Sequence, residues 1–404
     1  MPIATTLSGI PIEFCLFAAM LAGVALLSRH SLAVALTGLV VILAFETFVT
    51  RYPTGTGLAA LAEHGRHEWV TIANLGLLLV GFELLADQFE QSNMADHLPR
   101  HLPDGWTGGL VLLAMVFLFS AFLDNIAAAM IGGVIARHVY QRRVSIGFLA
   151  GIVAASNAGG AGSVIGDTTT TIMWLRGVSP SAVLHAYWGS IVAFAIFGPL
   201  ASLAQHRHQP MLDHNEPDCP LNWTRIAIAG GILVTAVAAN VAANRAGNEN
   251  LPWLGLALWG AILITSLIAP PNWKRMASAA VGALFLVALV AAASLMPVYS
   301  LPAPSPHNTF GIGVVSAVFD NIPLTALALA QGGYDWGVLA YAVGFGGSML
   351  WFGSSAGVAL TNEYPEGRSV GAWLRQGWYI PLAYAIGFAA LILIAGWRPE
   401  AIPA

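Results

Sequence analysis

Long apolar runs recur along the chain at nearly regular spacing, separated by short polar connections. Crossing the hydrocarbon takes roughly 20 predominantly apolar residues. Ten stretches reach that length: residues 11–28, 31–49, 68–86, 145–174, 181–203, 223–243, 252–269, 276–297, 333–361 and 376–396. Each predicts a spanning helix, because a helix satisfies its own backbone where no water is available. Residues 107–136 and 308–330 differ: each is too short for two crossings and holds a polar Asp-Asn pair at its middle. They predict re-entrant hairpins, two half-helices whose tip stops at mid-depth and is sheltered by protein or water.

The pattern is duplicated. Ser120-Ala-Phe-Leu-Asp-Asn-Ile126 returns 196 positions later as Ser316-Ala-Val-Phe-Asp-Asn-Ile322. Gly159-Gly160, followed by Ile165-Gly166, returns 187 positions later as Gly346-Gly347, followed by Phe352-Gly353. Each half then holds five spans, one of them broken by glycines, and one hairpin. Five is odd, so the second half must lie upside down relative to the first. The predicted fold is an all-α polytopic membrane protein of two inverted repeats, an architecture typical of secondary transporters. The first repeat is residues 1–204, with its hairpin at 107–136 and broken span at 145–174. A polar cytoplasmic linker, 205–222, holds His206, His208 and His214. The second repeat is 223–404, with its hairpin at 308–330 and broken span at 333–361.

Composition agrees. Hydrophobic residues make up 57% of 404 positions and charged residues 9%, against about 25% charged in soluble domains. Such an exterior suits lipid, so the expected surroundings are membrane lipid, in a bacterial inner membrane. A net charge of −4 without a basic patch excludes a nucleic-acid partner. Arg137, Arg142, Arg143, Arg207, Lys274, Arg275, Arg368 and Arg375 all fall on one face of the predicted topology, which the positive-inside rule makes cytoplasmic. Arg100 joins them, whereas Arg51, Arg66 and Arg176 fall outside. Cys15 in the first span and Cys219 in the linker imply no disulfide framework. The first apolar stretch lacks a basic leader and reads as a retained span.

Chemistry concentrates in the repeated motifs. Asp124, Asp167 and Asp320 lie deep in apolar runs, where a charge costs at least ~2.5 kcal/mol and usually marks an ion or proton path. The plainer alternative is that each Asp caps a broken half-helix. Ser or Thr would cap at lower cost, so one residue doing both tasks is the favoured reading. Residues 156–171 read as the unwound middle of a span. Gly159, Gly160, Gly162 and Gly166 free backbone carbonyls, while Asn157, Ser163, Asp167 and Thr168 to Thr171 add side-chain oxygens. Hard cations such as Na⁺ favour oxygen ligands; close helix packing alone would need neither the Asp nor four threonines. The partner stretch keeps Gly346, Gly347, Ser354 and Ser355, with Ser354 where Asp167 would align. Glu46, Glu83, Asp87 and His185 lie toward span ends and read as side chains snorkelling to the interface. Asn74 and Asn240 read as bonds between helices, and Trp69, Trp253 and Trp273 as an aromatic belt.

Residues 156–174 (SNAGGAGSVIGDTTTTIMW), 316–327 (SAVFDNIPLTAL) and 346–360 (GGSMLWFGSSAGVAL) closely resemble the NhaD-type sodium/proton antiporters. These belong to the ion transporter superfamily, with arsenite permeases and citrate and dicarboxylate carriers as relatives. The resemblance covers the cores of both halves. It implies a scaffold with a moving transport domain, two opposed hairpins and often a homodimer. It also implies an ion site formed by the Asp124-Asn125 and Asp320-Asn321 tips with the two crossover loops, Na⁺ being the transported or coupling ion and no cofactor being required. In one departure, Ala127-Ala128-Ala129 stands where the family tends to have threonines after the first Asp-Asn pair, which removes potential oxygen ligands.

Two transport readings stay open. Two tip carboxylates make a negative cavity suited to Na⁺ or Li⁺, and one carboxylate can hold a proton or a cation but not both; that is cation/proton antiport. A sodium-coupled symporter of a carboxylate, bicarbonate or oxyanion is the alternative, but no Arg or Lys lies mid-span to offset the tip carboxylates. A membrane aspartyl protease, whose paired carboxylates share a proton, does not explain the duplicated Asp-Asn tips.

Overall fold

The computed structural model describes residues 6–7, 10–27, 30–49, 57–94, 102–211, 220–245 and 251–400. Cys219, Arg51, Arg100, the linker's residues 212–219 and the side chain of Asn240 lie outside the described residues. Apart from an antiparallel pairing of Thr6–Leu7 with Ile10–Pro11, the described residues form helices and their connections.

Chain segments group into two compact units. One comprises Met1–Gln88, Ala227–Pro302 and Ala326–Gln331; the other Phe89–Ile226, Ala303–Thr325 and Gly332–Ala404. In the first unit, helix Ile12–Leu26 packs on Ser31–Phe48, which packs on Arg275–Ser294. The long helix Gly57–Glu90 is joined to Trp253–Thr265 by polar bonds. Asn74 Oδ1 accepts from the Gly255 amide at 2.9 Å, and Trp259 Nε1 donates to the Leu77 carbonyl at 2.9 Å. Asn74 is thus an interhelical bond, as expected. Asp87 is not the snorkelling side chain predicted from its place near a span end. It is buried, accepts from the Asn272 amide at 2.7 Å and pairs with Arg275 at 3.3 Å. Glu83 lies 3.9 Å from the same guanidinium, and Glu46 is buried. A partner is what makes such burial affordable.

The second unit contains every predicted site residue. Helix Trp106–Ser120 packs on Asn125–Val139, on Ile146–Gly160 and on Ala186–His208, while Pro306–Ser316 packs on Trp336–Gly346. Ala186–His208 in turn lies along Tyr379–Ala395. Rings of Tyr341, Phe345 and Tyr384 fill the space beside this last helix as parallel plates. The Tyr341 and Tyr384 centroids stand 5.9 Å apart with their planes 1° from parallel, and Phe345 continues the stack onto Phe197 at 5.7 Å. Offset stacking of this kind adds to area burial.

The apolar stretches do not all form uninterrupted helices. Among the described residues, Ser31–Phe48, Glu68–Glu90, Pro180–His208 and Arg275–Ser294 are long and apolar enough to cross a membrane singly, and Val370–Gln376 with Tyr379–Ala395 does so as a pair bent by 60°. Elsewhere the helices stop short. Residues 145–174 become Ile146–Gly160 and Thr168–Leu175, and 333–361 become Trp336–Gly346, Gly347–Met349 and Ser355–Glu363. Glycine destabilises a helix interior, and a capping Ser or Asp offers a new start. Both interruptions fall in the glycine-rich stretches of the two spans expected to be broken.

Candidate functional site

Four helix starts build the site, each made by a side chain that caps it. After Trp106–Ser120 the chain turns and Asp124 opens Asn125–Val139, its Oδ2 accepting from the Ile126 amide at 3.2 Å. After Pro306–Ser316, Asp320 opens Asn321–Gln331, its Oδ1 accepting from the Ile322 amide at 3.1 Å. In the crossovers, Asp167 caps Thr168–Leu175 by accepting from the Thr169 amide at 2.9 Å. Ser354 caps Ser355–Glu363 by accepting from the Gly357 amide at 3.3 Å. The capping reading is therefore correct for all three carboxylates, and each has a second oxygen to account for.

At the tips that oxygen meets the crossover hydroxyl that follows the other cap. Thr168 Oγ1 donates to Asp124 Oδ1 at 3.4 Å, and Ser355 Oγ donates to Asp320 Oδ2 at 2.9 Å. Tip and crossover thus join in the same way in both halves. The backbones meet as closely. A Cβ on Gly159 would strike the Phe117 carbonyl, and one on Gly346 would strike the Gly313 carbonyl. On Gly160 it would stand 2.5 Å from the Gly166 oxygen, and on Gly347 2.7 Å from the Gly353 oxygen. These glycines therefore let two chain segments touch; close approach, more than freed carbonyls, is their task.

Several expected oxygen ligands are occupied elsewhere. Thr170 Oγ1 and Thr171 Oγ1 donate to the Asp167 carbonyl at 2.9 and 3.0 Å, which stiffens the helix start. Ser163 Oγ donates to the Ala121 carbonyl at 2.7 Å, tying the crossover to the tip. Among the predicted site residues, three buried side-chain atoms have no hydrogen-bond partner: Asp167 Oδ2, Thr169 Oγ1 and Asn321 Nδ2. Their residues are 1%, 0% and 3% exposed. Among the described residues, no three His, Cys, Asp or Glu side chains close on one metal position.

The two crossovers are stitched by Asn157. Its Oδ1 accepts from Asn125 Nδ2 at 3.1 Å. Its Nδ2 donates to Ser348 Oγ at 2.9 Å and Ser354 Oγ at 3.0 Å. Ser348 was not among the residues predicted for the site, and neither was Tyr187, whose hydroxyl donates to the Gly159 carbonyl at 3.0 Å. Ser348 lies inside the second glycine-rich stretch and was visible there as a hydroxyl; Tyr187 left no signal beyond an aromatic near a helix start. His185 is also not free to snorkel. Its Nε2 lies 2.6 Å from Asp335 Oδ1, and Asp335 further accepts from the amides of Val338 at 3.0 Å and Arg398 at 2.8 Å.

Comparison with known proteins places this arrangement. Sodium/proton antiporter 1 of Arabidopsis thaliana is 28% identical over 321 residues, 69% of this chain and 52% of that protein. Sodium/proton antiporter 2 of the same plant is 28% identical over 290 residues, 60% of this chain and 66% of that protein. The chain thus spans about half the length of the first and 66% of the second. The Na⁺/H⁺ antiporter NhaD of Vibrio parahaemolyticus is 25% identical over 375 residues, 80% of this chain and 89% of that protein. The family described as citrate transporter, CitMHS, matches residues 14–346. That range runs through both Asp-Asn tips and the whole first crossover, and on it the chain belongs to the citrate transporter family of membrane transporters.

Proposed function

We propose that this chain exchanges a small monovalent cation, Na⁺ or Li⁺, against protons across a bacterial inner membrane. The observation that carries the reading is Asp167. It is 1% exposed, one of its carboxylate oxygens has no partner, and the neighbouring Thr168 hydroxyl reaches the Asp124 carboxylate. A buried carboxylate in such company needs a proton or a cation to complete it. The two compete for the same oxygen, so loading one from one side and releasing it for the other on the opposite side couples their movements. The similarity to sodium/proton antiporters supports the same assignment.

In this reading Asp124-Asn125 and Asp320-Asn321 are tips of re-entrant hairpins, and the halves 1–204 and 223–404 are inverted repeats joined by a cytoplasmic linker. The recurrence of cap, tip-to-crossover hydroxyl bond and glycine contact in both halves supports it. A homodimer is the expected assembly.

Sodium-coupled symport of a small anion (a carboxylate, bicarbonate or an oxyanion) is the second reading, and the description of the matched family favours a carboxylate. An anion would meet the charges of Asp124, Asp167 and Asp320. At ~4 Å and an effective dielectric of ~20, each repulsion is about 4 kcal/mol. Bound sodium or protons would have to cancel it. Purified protein in liposomes with a pH-sensitive dye inside decides between the two. Antiport moves protons on addition of Na⁺ or Li⁺; sodium-dependent accumulation of labelled citrate or bicarbonate without proton movement overturns it.

A further inference from the structure

Three turns of the second unit meet at one end, and each carries arginine. Gln205 accepts from the Ser145 amide at 2.8 Å and donates to the Arg143 carbonyl at 3.0 Å. The turn after Asn125–Val139 therefore lies beside the last residues of Ala186–His208, among them Arg207. The Tyr379 hydroxyl donates to the Gly147 carbonyl at 2.7 Å, and a Cβ on Gly147 would lie 2.8 Å from the Gln376 carbonyl. The turn after Val370–Gln376, next to Arg375, thus adjoins the start of Ile146–Gly160. Arg142, Arg143, Arg207 and Arg375 are all exposed there. Two further arginines of this end are engaged, Arg137 with Glu363 at 3.3 Å and Arg368 with the Thr361 carbonyl at 3.1 Å. Among the described residues, the other four side chains have no ion pair and no hydrogen bond. In the connections 140–145, 205–211 and 363–378 the carboxylates are Glu363, which Arg137 engages, and Glu366.

The turn that presents Arg142 is built at a cost. Gln141 and Arg142 have φ of 47° and 64°, the left-handed region in which a helix usually ends on glycine. The Arg142 amide donates to the Arg137 carbonyl at 2.8 Å and the Arg143 amide to the Tyr140 carbonyl at 2.9 Å, so the backbone closes without either side chain. Glycine would make the same turn with less strain; what Arg142 adds is an exposed cation. Beside it, Val370–Gln376 is bent by 60° from Tyr379–Ala395. Val370, Leu374 and Trp378 are 40%, 43% and 55% exposed. Arginine next to exposed aliphatic and indole groups, on a helix turned away from the spanning one, suits the polar boundary of a bilayer.

We propose that Arg142, Arg143, Arg207 and Arg375 bind the headgroup of an anionic phospholipid from the surrounding bilayer. A guanidinium presents a planar fork of donors that matches phosphate oxygens, and Leu374 and Trp378 offer apolar surface to the chains below it. The inference rests on the chain's place in a family of membrane transporters and not on which ion it carries.

The experiment is native mass spectrometry of the full chain, purified and delipidated in a neutral detergent. It is titrated with phosphatidylglycerol or with phosphatidylcholine of the same acyl chains. A basic residue at an anionic lipid surface contributes about fivefold in affinity. Phosphatidylglycerol is expected to bind about fivefold or more tightly than phosphatidylcholine. Arg207→Gln and Arg375→Gln should each weaken it about fivefold, and Arg142→Gln with Arg143→Gln about 25-fold. Arg398→Gln, an exposed arginine beside the Asp335 tie, should leave it unchanged. Equal weakening by Arg398→Gln overturns the proposal, because charge anywhere would then serve. Displacement of the lipid by inorganic phosphate alone overturns it too. Should the double variant fail to fold, wild type decides: arginines that only orient the chain during insertion predict equal affinity for the two lipids, and that result overturns the site.

Discussion

Asn157 donates to Ser354 Oγ across 3.0 Å, so the amide of one crossover is bonded to the hydroxyl that caps the helix of the other. That one contact joins residues 197 positions apart and couples two helix breaks into one body. Motion of one crossover without the other would leave a buried amide unpaired, at about 1–3 kcal/mol.

Asp124→Asn and Asp320→Asn are each expected to abolish coupled exchange in liposomes and leave the protein folded. An Asn side chain still accepts from the Ile126 or Ile322 amide as a cap, but it cannot ionise. Near-normal proton movement in either folded variant returns that residue to a capping role alone.

Asp167→Ser copies into the first half the residue found at Ser354. A Ser there still caps Thr168–Leu175, so its melting temperature should stay close to wild type. Apparent Na⁺ affinity should fall tenfold or more, the scale on which altered ligation weakens metal sites. Sodium titration of exchange with unaltered affinity rules out Asp167 as a cation ligand.

Competition between proton and cation gives a sign for pH dependence. Lowering the pH adds protons to the carboxylates that hold the cation, so apparent Na⁺ affinity should weaken as pH falls. Measured in detergent by ²²Na⁺ binding from pH 9 to pH 6 (a range of about three units), affinity that is flat or rises toward acid contradicts a shared site.

Gly159→Ala and Gly346→Ala should each lower stability by about 1–3 kcal/mol, the usual cost of forcing atoms into a packed interior. In both, the added Cβ meets a backbone carbonyl that has no rotamer to escape by. Thermal unfolding followed by scanning fluorimetry measures it, and an unchanged melting temperature in either variant shows that the segments can part.

Asp335→Ala removes three bonds at once: the cap to Val338, the tie to the Arg398 amide and the His185 contact. With Asp335 0% exposed, the loss should cost about 1–3 kcal/mol or more in thermal stability. Na⁺ binding by the folded variant, measured with ²²Na⁺, should be unaffected. A stability equal to wild type denies the residue its anchoring role.

The two Asp-Asn tips and both glycine-rich crossovers were legible in the amino-acid sequence because each motif occurs twice and sits in apolar surroundings that make a carboxylate conspicuous. The capping by Asp124, Asp167 and Asp320 was legible for the same reason. What lay beyond reach was the use of each oxygen. Thr170 and Thr171 read as ligands, yet both bond the Asp167 carbonyl within their own turn, a choice that depends on rotamers and not on residue type. The Ser348 contact of Asn157 joins positions 191 apart, a distance that no local pattern encodes. The snorkelling assigned to Asp87 and His185 failed because their partners, Arg275 and Asp335, come from distant segments.

The meeting of Gly159 with the Phe117 carbonyl, and of Gly346 with the Gly313 carbonyl, sets the terms on which the two halves can drift apart. Where main chain presses on main chain, no substitution is open to either half, and the two copies stay alike. Where a side chain makes the contact, as at Asp167 and Ser354, each of which caps the helix that follows it, the frame accepts either residue. A duplicated motif of this kind can carry a charge in one occurrence and none in the other, as Asp167 and Ser354 do, without moving a helix.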